Sequence, residues 1–230
     1  MASNHILKEL QWAQQAIKSE GLNLHSNFFY LSQPTSGCYQ ETDNSISINI
    51  SKENLPFFSH LLTTLAAPRS TNSSSLRKLE FHRVEWDSQK VRNLGTLLGN
   101  NQNVQQVVFK RNRFNGKSLS ELSGILKDNK VIKEIMLSES GIGSVGDGLI
   151  ASSLVMNDSL EELQIWEDSI GSRGAEELSK MIEVNSTLKL LTIFYSNAIT
   201  ATPLISAVLV RNRRMEVHVW SGGNGDKSSQ

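Results

Sequence analysis

From Leu76 onward the chain repeats itself every 28 residues. The segments LRKLEF, VQQVVF, IKEIML, LEELQI and LKLLTI begin at Leu76, Val104, Ile132, Leu160 and Leu188, and each carries large apolar residues at its first, fourth and sixth places. A fixed period of this length marks a solenoid, in which a strand-helix unit buries its apolar edge only when a neighbouring unit stacks upon it. The expected class is therefore α/β, with parallel strands side by side and helices along the outer rim. Such a body offers a long recognition surface rather than a pocket built for chemistry.

Counting offsets from the first apolar residue assigns a task to each place in the unit. Offsets three and five give Leu79, Phe81, Val107, Phe109, Ile135, Leu137, Leu163, Ile165, Leu191 and Ile193, which alternate with polar residues as a strand buried on one side requires. Offset ten supplies Trp86, Phe114, Ile142 and Ile170 to fill the body beyond the strand. Helical spacing follows, with Val91, Leu94, Leu97 and Leu98 matched by Leu119, Leu122, Ile125 and Leu126, then by Ala175, Leu178, Met181 and Ile182. Asn101, Asn129, Asn157 and Asn185 recur at one offset near each helix end. There asparagine is expected to adopt the left-handed terminating conformation and to bond nearby backbone with its amide.

Residues 1–75 are less regular. A helical stripe of Ile6, Leu10, Ala13 and Ile17 predicts an amphipathic helix over about 3–19, read as a cap on the open end of the core. Phe28 to Ser32 and Ser45 to Ser51 read as a strand pair, and Leu55 to Leu65 as a helix, so that Ser45 to Leu65 forms a degenerate first unit. The serine-rich stretch around Pro68 reads as a joint inside one body. The expected organisation is thus a cap, hairpin and degenerate unit over 1–75, five repeats over 76–214, and an incomplete sixth strand with a tail over 215–230. The fifth unit drifts, with Ile199 after its strand, Pro203 at the helix start and Asn212 one place early. In MEVHVW, either Val217 and Val219 or His218 and Trp220 face the core. No capping helix is expected after it, which leaves a strand edge open to self-association.

Composition sets limits. Lys plus Arg equals Asp plus Glu at 23 each, so a general attraction to nucleic acid or membrane surfaces is not expected. Cys38 is the only cysteine, and the polar-spaced beginning lacks the order of a signal peptide; both point to a reduced, cytoplasmic setting. Four glycosylation triplets occur, at Asn49, Asn72, Asn157 and Asn185, the last two better explained as helix endings.

The LxxLxφ unit, with its later glycine turn and terminal asparagine, resembles the intracellular, ribonuclease-inhibitor type of leucine-rich repeat over roughly residues 76–214. More closely, LSQPTSGCYQET, EFHRVEW, VVFKRNR, LEELQIWEDSIGS and MEVHVW resemble the N-terminal region of the plant Tornado family of large leucine-rich-repeat regulators. The resemblance implies a parallel concave sheet, a plant source, a role in growth patterning and auxin distribution, and a membrane-associated regulator among the partners. It also implies longer relatives in which a GTPase-like region of the Roco type follows the repeats. The chain stops at Gln230, before any such region.

No residue pattern carries catalysis. Gly116-Lys117-Ser118 copies the end of a phosphate-binding loop, but Arg111 stands where that motif needs its first glycine, and the repeat accounts for the triplet as a turn. The five histidines are scattered without HExxH spacing, and a lone cysteine makes no zinc cluster with them. Glu161-Glu162 and Glu176-Glu177 read as solvated charge. The chain is therefore expected to be no enzyme and to need no cofactor.

What remains is surface. Alternation turns offsets four and six away from the core: Glu80 and His82, Val108 and Lys110, Met136 and Ser138, Gln164 and Trp166, Thr192 and Phe194. Offset seven adds Arg83, Arg111, Glu139, Glu167 and Tyr195. Along the chain these sort into a basic band (His82, Arg83, Lys110, Arg111, with Arg113 nearby), an acidic band (Glu134, Glu139, Glu162, Glu167, Asp168) and an aromatic end. Trp166, Phe194 and Tyr195 are the leading candidates for contact with a protein partner, because exposed aromatics supply rigid contact area. Met136 and Gln164 complete the candidate face. The alternative role is that of a regulatory segment within a larger Roco-type GTPase.

Overall fold

The computed structural model describes residues 29–31, 46–51, 76–166, 172–195 and 215–221. Their elements run β1 (Phe29–Leu31), β2 (Ile46–Ser51), β3 (Leu76–His82), β4 (Glu85–Trp86), α1 (Ser88–Asn100), β5 (Gln106–Lys110), β6 (Arg113–Phe114), α2 (Gly116–Asp128), β7 (Glu134–Ser138), α3 (Gly143–Leu154), β8 (Glu162–Trp166), α4 (Ser172–Val184), β9 (Leu190–Tyr195) and β10 (Glu216–Ser221). The expected cap helix, the 55–65 helix, the serine-rich joint, the fifth helix and the tail lie outside the described residues.

Eight of these strands form one sheet in the order β1-β2-β3-β5-β7-β8-β9-β10. β1 and β2 pair antiparallel, as the hairpin expectation required, and every later pairing is parallel. From β3 to β9 each residue sits beside its counterpart one period on: Leu79 beside Val107, then Ile135, Leu163 and Leu191. The last step is shorter, since Glu216 pairs with Leu190, 26 residues earlier. That register settles the phase left open by the sequence. Val217 and Val219 stand beside the core positions Leu191 and Ile193, while His218 and Trp220 stand beside Thr192 and Phe194.

Leu79, Phe81, Val107, Phe109, Ile135, Leu137, Leu163, Ile165, Leu191 and Ile193 are all buried, as are Val91, Leu94, Leu97, Leu119, Leu122, Leu178, Met181 and Ile182 from the helices. The four described helices therefore cover the same sheet face, and each packs on the next. The first two units hold their layers with aromatics. Phe81 stacks on Phe109 with centroids 5.4 Å apart, Trp86 stacks on Phe114 at 5.5 Å, and Trp86 meets Phe81 edge-on at 4.9 Å. The short pair β4 and β6 brings Trp86 beside Phe114.

Asn112 is buried in this cluster without leaving its amide idle. Its Oδ1 accepts from the Val84 N–H and from Trp86 Nε1, and its Nδ2 donates to the Phe81 carbonyl at 2.9 Å. One unit on, Ser140 Oγ donates to the Phe109 carbonyl from the same offset. In α3 the inward offset held elsewhere by Val91, Leu119 and Ala175 is taken by the fully buried Asp147. Gly174 lets α4 approach it closely: a Cβ there would lie 2.7 Å from Asp147 Cβ.

The recurring asparagines depart from expectation in conformation but not in bonding. Asn101 (φ −109°, ψ 121°) and Asn129 (φ −71°, ψ 136°) are extended rather than left-handed. Each instead turns its side-chain oxygen onto the backbone N–H groups two and three residues ahead, and Asn157 and Asn185 do the same. Their amides then cross to the previous unit. Asn157 Nδ2 donates to the Leu126 and Asn129 carbonyls, and Asn185 Nδ2 to those of Leu154 and Asn157. Both side chains are buried in these bonds, so the two triplets are structural.

Left-handed backbone appears elsewhere. Arg83, Arg111 and Glu139, each directly after its strand, have φ of 53°, 55° and 47°. Their N–H groups donate to the Lys110, Ser138 and Trp166 carbonyls of the following strand at 2.8 to 3.0 Å. A bond that extends the ladder thus fixes a conformation L-residues disfavour.

Candidate functional site

With helices on one face, the sheet presents its even offsets on the other. There the residues form cross-strand rows, because the register is constant from β3 to β9. One row runs through His82, Lys110, Ser138, Trp166, Phe194 and Trp220, and a second through Glu80, Val108, Met136, Gln164, Thr192 and His218. Val108 and Thr192 are buried on this face rather than exposed. Val108 stands between the longer Glu80 and Met136 of adjacent strands.

Glu80 organises the first two units. Its Oε1 accepts from Lys110 Nζ at 2.7 Å and lies 2.8 Å from His82 Nε2, and Lys78 Nζ lies 3.5 Å from its other oxygen. The bond to His82, then those to Lys110 and the charge of Lys78, outweigh burial and hold this carboxyl far below the usual glutamate range. Arg111 Nε reaches both carboxylate oxygens of Glu139 at 3.0 and 3.1 Å. The basic band expected from the sequence is therefore substantially engaged: His82 and Lys110 with Glu80, Arg111 with the acidic band itself. Arg83 and Arg113 are exposed.

At the other end of the face a polar relay runs along β8. Gln164 Nε2 donates to Glu162, and Trp166 Nε1 donates to Gln164 Oε1 at 2.9 Å. The indole is thereby oriented while remaining 36% exposed, a large apolar side chain held at the surface. Met136 is half-buried and stands beside Gln164 in register. Phe194 and Trp220 continue the Trp166 row in backbone register. Tyr195 follows Phe194 at the end of β9, beside Ser221. Glu167 lies outside the described residues. Trp220 escaped selection from the sequence because the phase of its strand was open there.

The phosphate-loop fragment proves to be a helix start. Asn115 caps α2 by accepting from the Ser118 N–H, and Ser118 Oγ reaches back to the Asn115 N–H, both at 2.9 Å. Among the described residues no group of three or more His, Cys, Asp or Glu side chains is placed to hold a metal ion, and no helix is long and apolar enough to cross a membrane.

Comparison with known proteins agrees with this architecture. No family model matches the chain. Among solved structures it is similar to leiomodin-1 actin-binding site 2, with a TM-score of 0.52 at 21% identity over 66% of this chain and 87% of that one. It is also similar to the tropomodulin C-terminal domain of Caenorhabditis elegans, with a TM-score of 0.51 at 12% identity over 66% and 93%. These likenesses concern the fold alone. In sequence, 94% of the chain resembles Protein TORNADO 1 of Arabidopsis thaliana, at 65% identity over 218 residues, and spans 16% of that protein's length.

Proposed function

We propose that the chain is a non-catalytic protein-interaction scaffold: a leucine-rich-repeat solenoid of the ribonuclease-inhibitor type whose open, concave sheet face grips a protein partner. The observation that carries this reading is the oriented, exposed Trp166 at the head of an aromatic row on a sheet face that the described helices leave uncovered. A rigid aromatic on a broad surface is the kind of residue that dominates binding energy. The constant period and register support the solenoid. Similarity to Protein TORNADO 1 supports service in plant growth patterning; a part in auxin distribution, from a cytoplasmic position that can be peripheral to the plasma membrane, is a further element of the proposal.

Because the chain spans 16% of that relative, a second reading assigns it the regulatory segment of a longer GTPase-type protein. Self-association through the β10 edge is a separate proposal, read by sedimentation over a concentration range. Affinity capture from plant extract tests the main reading. The chain is used beside a variant carrying Trp166→Ala, Phe194→Ala and Tyr195→Ala, with folding of both verified by circular dichroism. A protein retained by the first and lost by the second supports an interaction face; equal capture moves the site elsewhere.

A further inference from the structure

We propose that the outer side of α3, turned away from the sheet, pairs antiparallel with α3 of a second copy of the chain. Val145, Leu149, Ser152 and Met156 follow one another at intervals of four, three and four residues, which sets them in one line along a helix and its last turn. Val145 is 57% exposed and Met156 67%, Ser152 is exposed, and Leu149 is half-buried. Counting by the period, the same line reads Gln89, Asn93, Thr96 and Asn100 on α1, Lys117, Glu121, Gly124 and Asp128 on α2, and Arg173, Glu177, Lys180 and Val184 on α4. Among the described helices, α3 alone has neither a charged nor an amide side chain along this line. A helix that is apolar all round is ordinarily covered, and the interval of four, three and four is that of the seam by which two helices pack together. Val184, one period on from Met156 and 61% exposed, widens the patch.

Charge selects the occupant. Beside the seam, α2 carries Lys117 in its first turn and Asp128 as its last residue, and neither side chain has an ion pair or a hydrogen bond among the described residues. What covers the seam must therefore bring an anion over the start of α2 and a cation over its end. A second copy turned end for end brings both. With Val145 opposite Met156 of that copy, and Leu149 opposite its Ser152, the period of 28 sets Lys117 opposite Asp128 and Asp128 opposite Lys117. Glu177 and Lys180 of α4 exchange places in the same way, so no like charges are opposed along the three lines. One patch thus complements itself under a two-fold axis, as a closed dimer requires. The centre of the seam also stays low: Leu149 meets the small Ser152, and Gly124, one period before Ser152, is exposed with open space where a Cβ would stand.

Sedimentation equilibrium of the full chain over a concentration range tests this. The parent is expected to dimerise, and Met156→Glu, at an exposed position that leaves folding intact, to remain monomeric. Lys117→Asp should weaken the dimer about tenfold, because the pair occurs twice across a two-fold axis, and Lys117→Asp combined with Asp128→Lys should restore it. Cross-linking fixes the direction of pairing. In a Cys38→Ser background, Val145→Cys and Met156→Cys are expected to join by a disulfide when the two variants are mixed and not when each is alone, since 11 residues of helix hold like positions about 16 Å apart. A chain monomeric at every concentration, a dimer indifferent to Met156→Glu, a double reversal that fails to restore association, or cross-links between like positions would each overturn the inference.

Discussion

Replacing Asn157 by alanine tests the idea that a buried amide locks one unit to the next. Its Oδ1 accepts from the Ser159 and Leu160 N–H groups at 2.9 and 2.7 Å, and its Nδ2 donates to the Leu126 and Asn129 carbonyls at 2.6 and 3.2 Å. Alanine removes both pairs at once, in a site only 5% exposed. At about 1 kcal/mol net for each bond, and more where a buried donor is left unmet, the expected loss is about 3–5 kcal/mol. For a chain of this size that lowers Tm by about 10 °C. Asn101 is the internal control. Its side chain is partly exposed and bonds the N–H groups of Asn103 and Val104, two and three residues ahead in the chain, so Asn101→Ala should cost about 1–2 kcal/mol. Asn157→Asp keeps the acceptor but turns an anion toward two carbonyl oxygens, and should cost at least as much as alanine. Urea unfolding, with the m-value followed to detect loss of cooperativity between units, measures all three. Equal losses for Asn157→Ala and Asn101→Ala would refute the cross-unit argument.

Three further outcomes are expected. Leu163→Asp places a charge at a fully buried core position and should cost several kcal/mol, melting neighbouring units together; an unchanged thermal transition would refute the core assignment. Arg83→Gly relieves a left-handed φ of 53° and should gain about 0.5–1 kcal/mol, whereas Arg83→Val should lose at least that much, a contrast read by calorimetry. The carboxyl of Glu80 is held below its ordinary value of 4.5, chiefly by His82, so its contribution is present above that value and lost as pH falls through the depressed one. Glu80→Gln should therefore cost about 1–2 kcal/mol at neutral pH, the gap to the parent closing as pH drops below 4.5; a gap constant from neutral to strongly acid pH would refute the ionic account.

The strands and most helices were legible because burial leaves a period. Leu79 and Phe81 recur one unit on as Val107 and Phe109, all buried. The third helix was harder, since Asp147 and Ser153 occupy inward offsets where the pattern expects apolar residues. The turn after each strand was invisible, because Arg83, Arg111 and Glu139 take left-handed backbone without the glycine that would announce it. The charge bands misled for a related reason. Sequence order groups Lys110 with Arg111 and separates both from their carboxylates, while the sheet brings Glu80 and Glu139 to them from the units on either side. Trp220 became part of the aromatic row only when the pairing of β10 with β9 fixed its phase.

The polar groups of each unit divide their work by position. Along the edge where strands begin, Lys130 reaches Asp158, and Glu161 holds Lys133 and Lys189, each pair one period apart. The buried amides of Asn157 and Asn185 cross the same boundaries nearby. The apolar alternation penalises a slip of one residue, and these directional bonds, each needing a donor opposite an acceptor, penalise a slip of two as well. Their counterparts on the open face join the first three units, Glu80 with Lys110 and Arg111 with Glu139. On β7 and β8 the face carries Glu134, Met136, Glu162, Gln164 and Trp166, whose alignment follows from the register. A surface whose order is imposed from the far side of the sheet is free to vary its side chains, and that freedom is what lets a repeat acquire a partner without losing its fold.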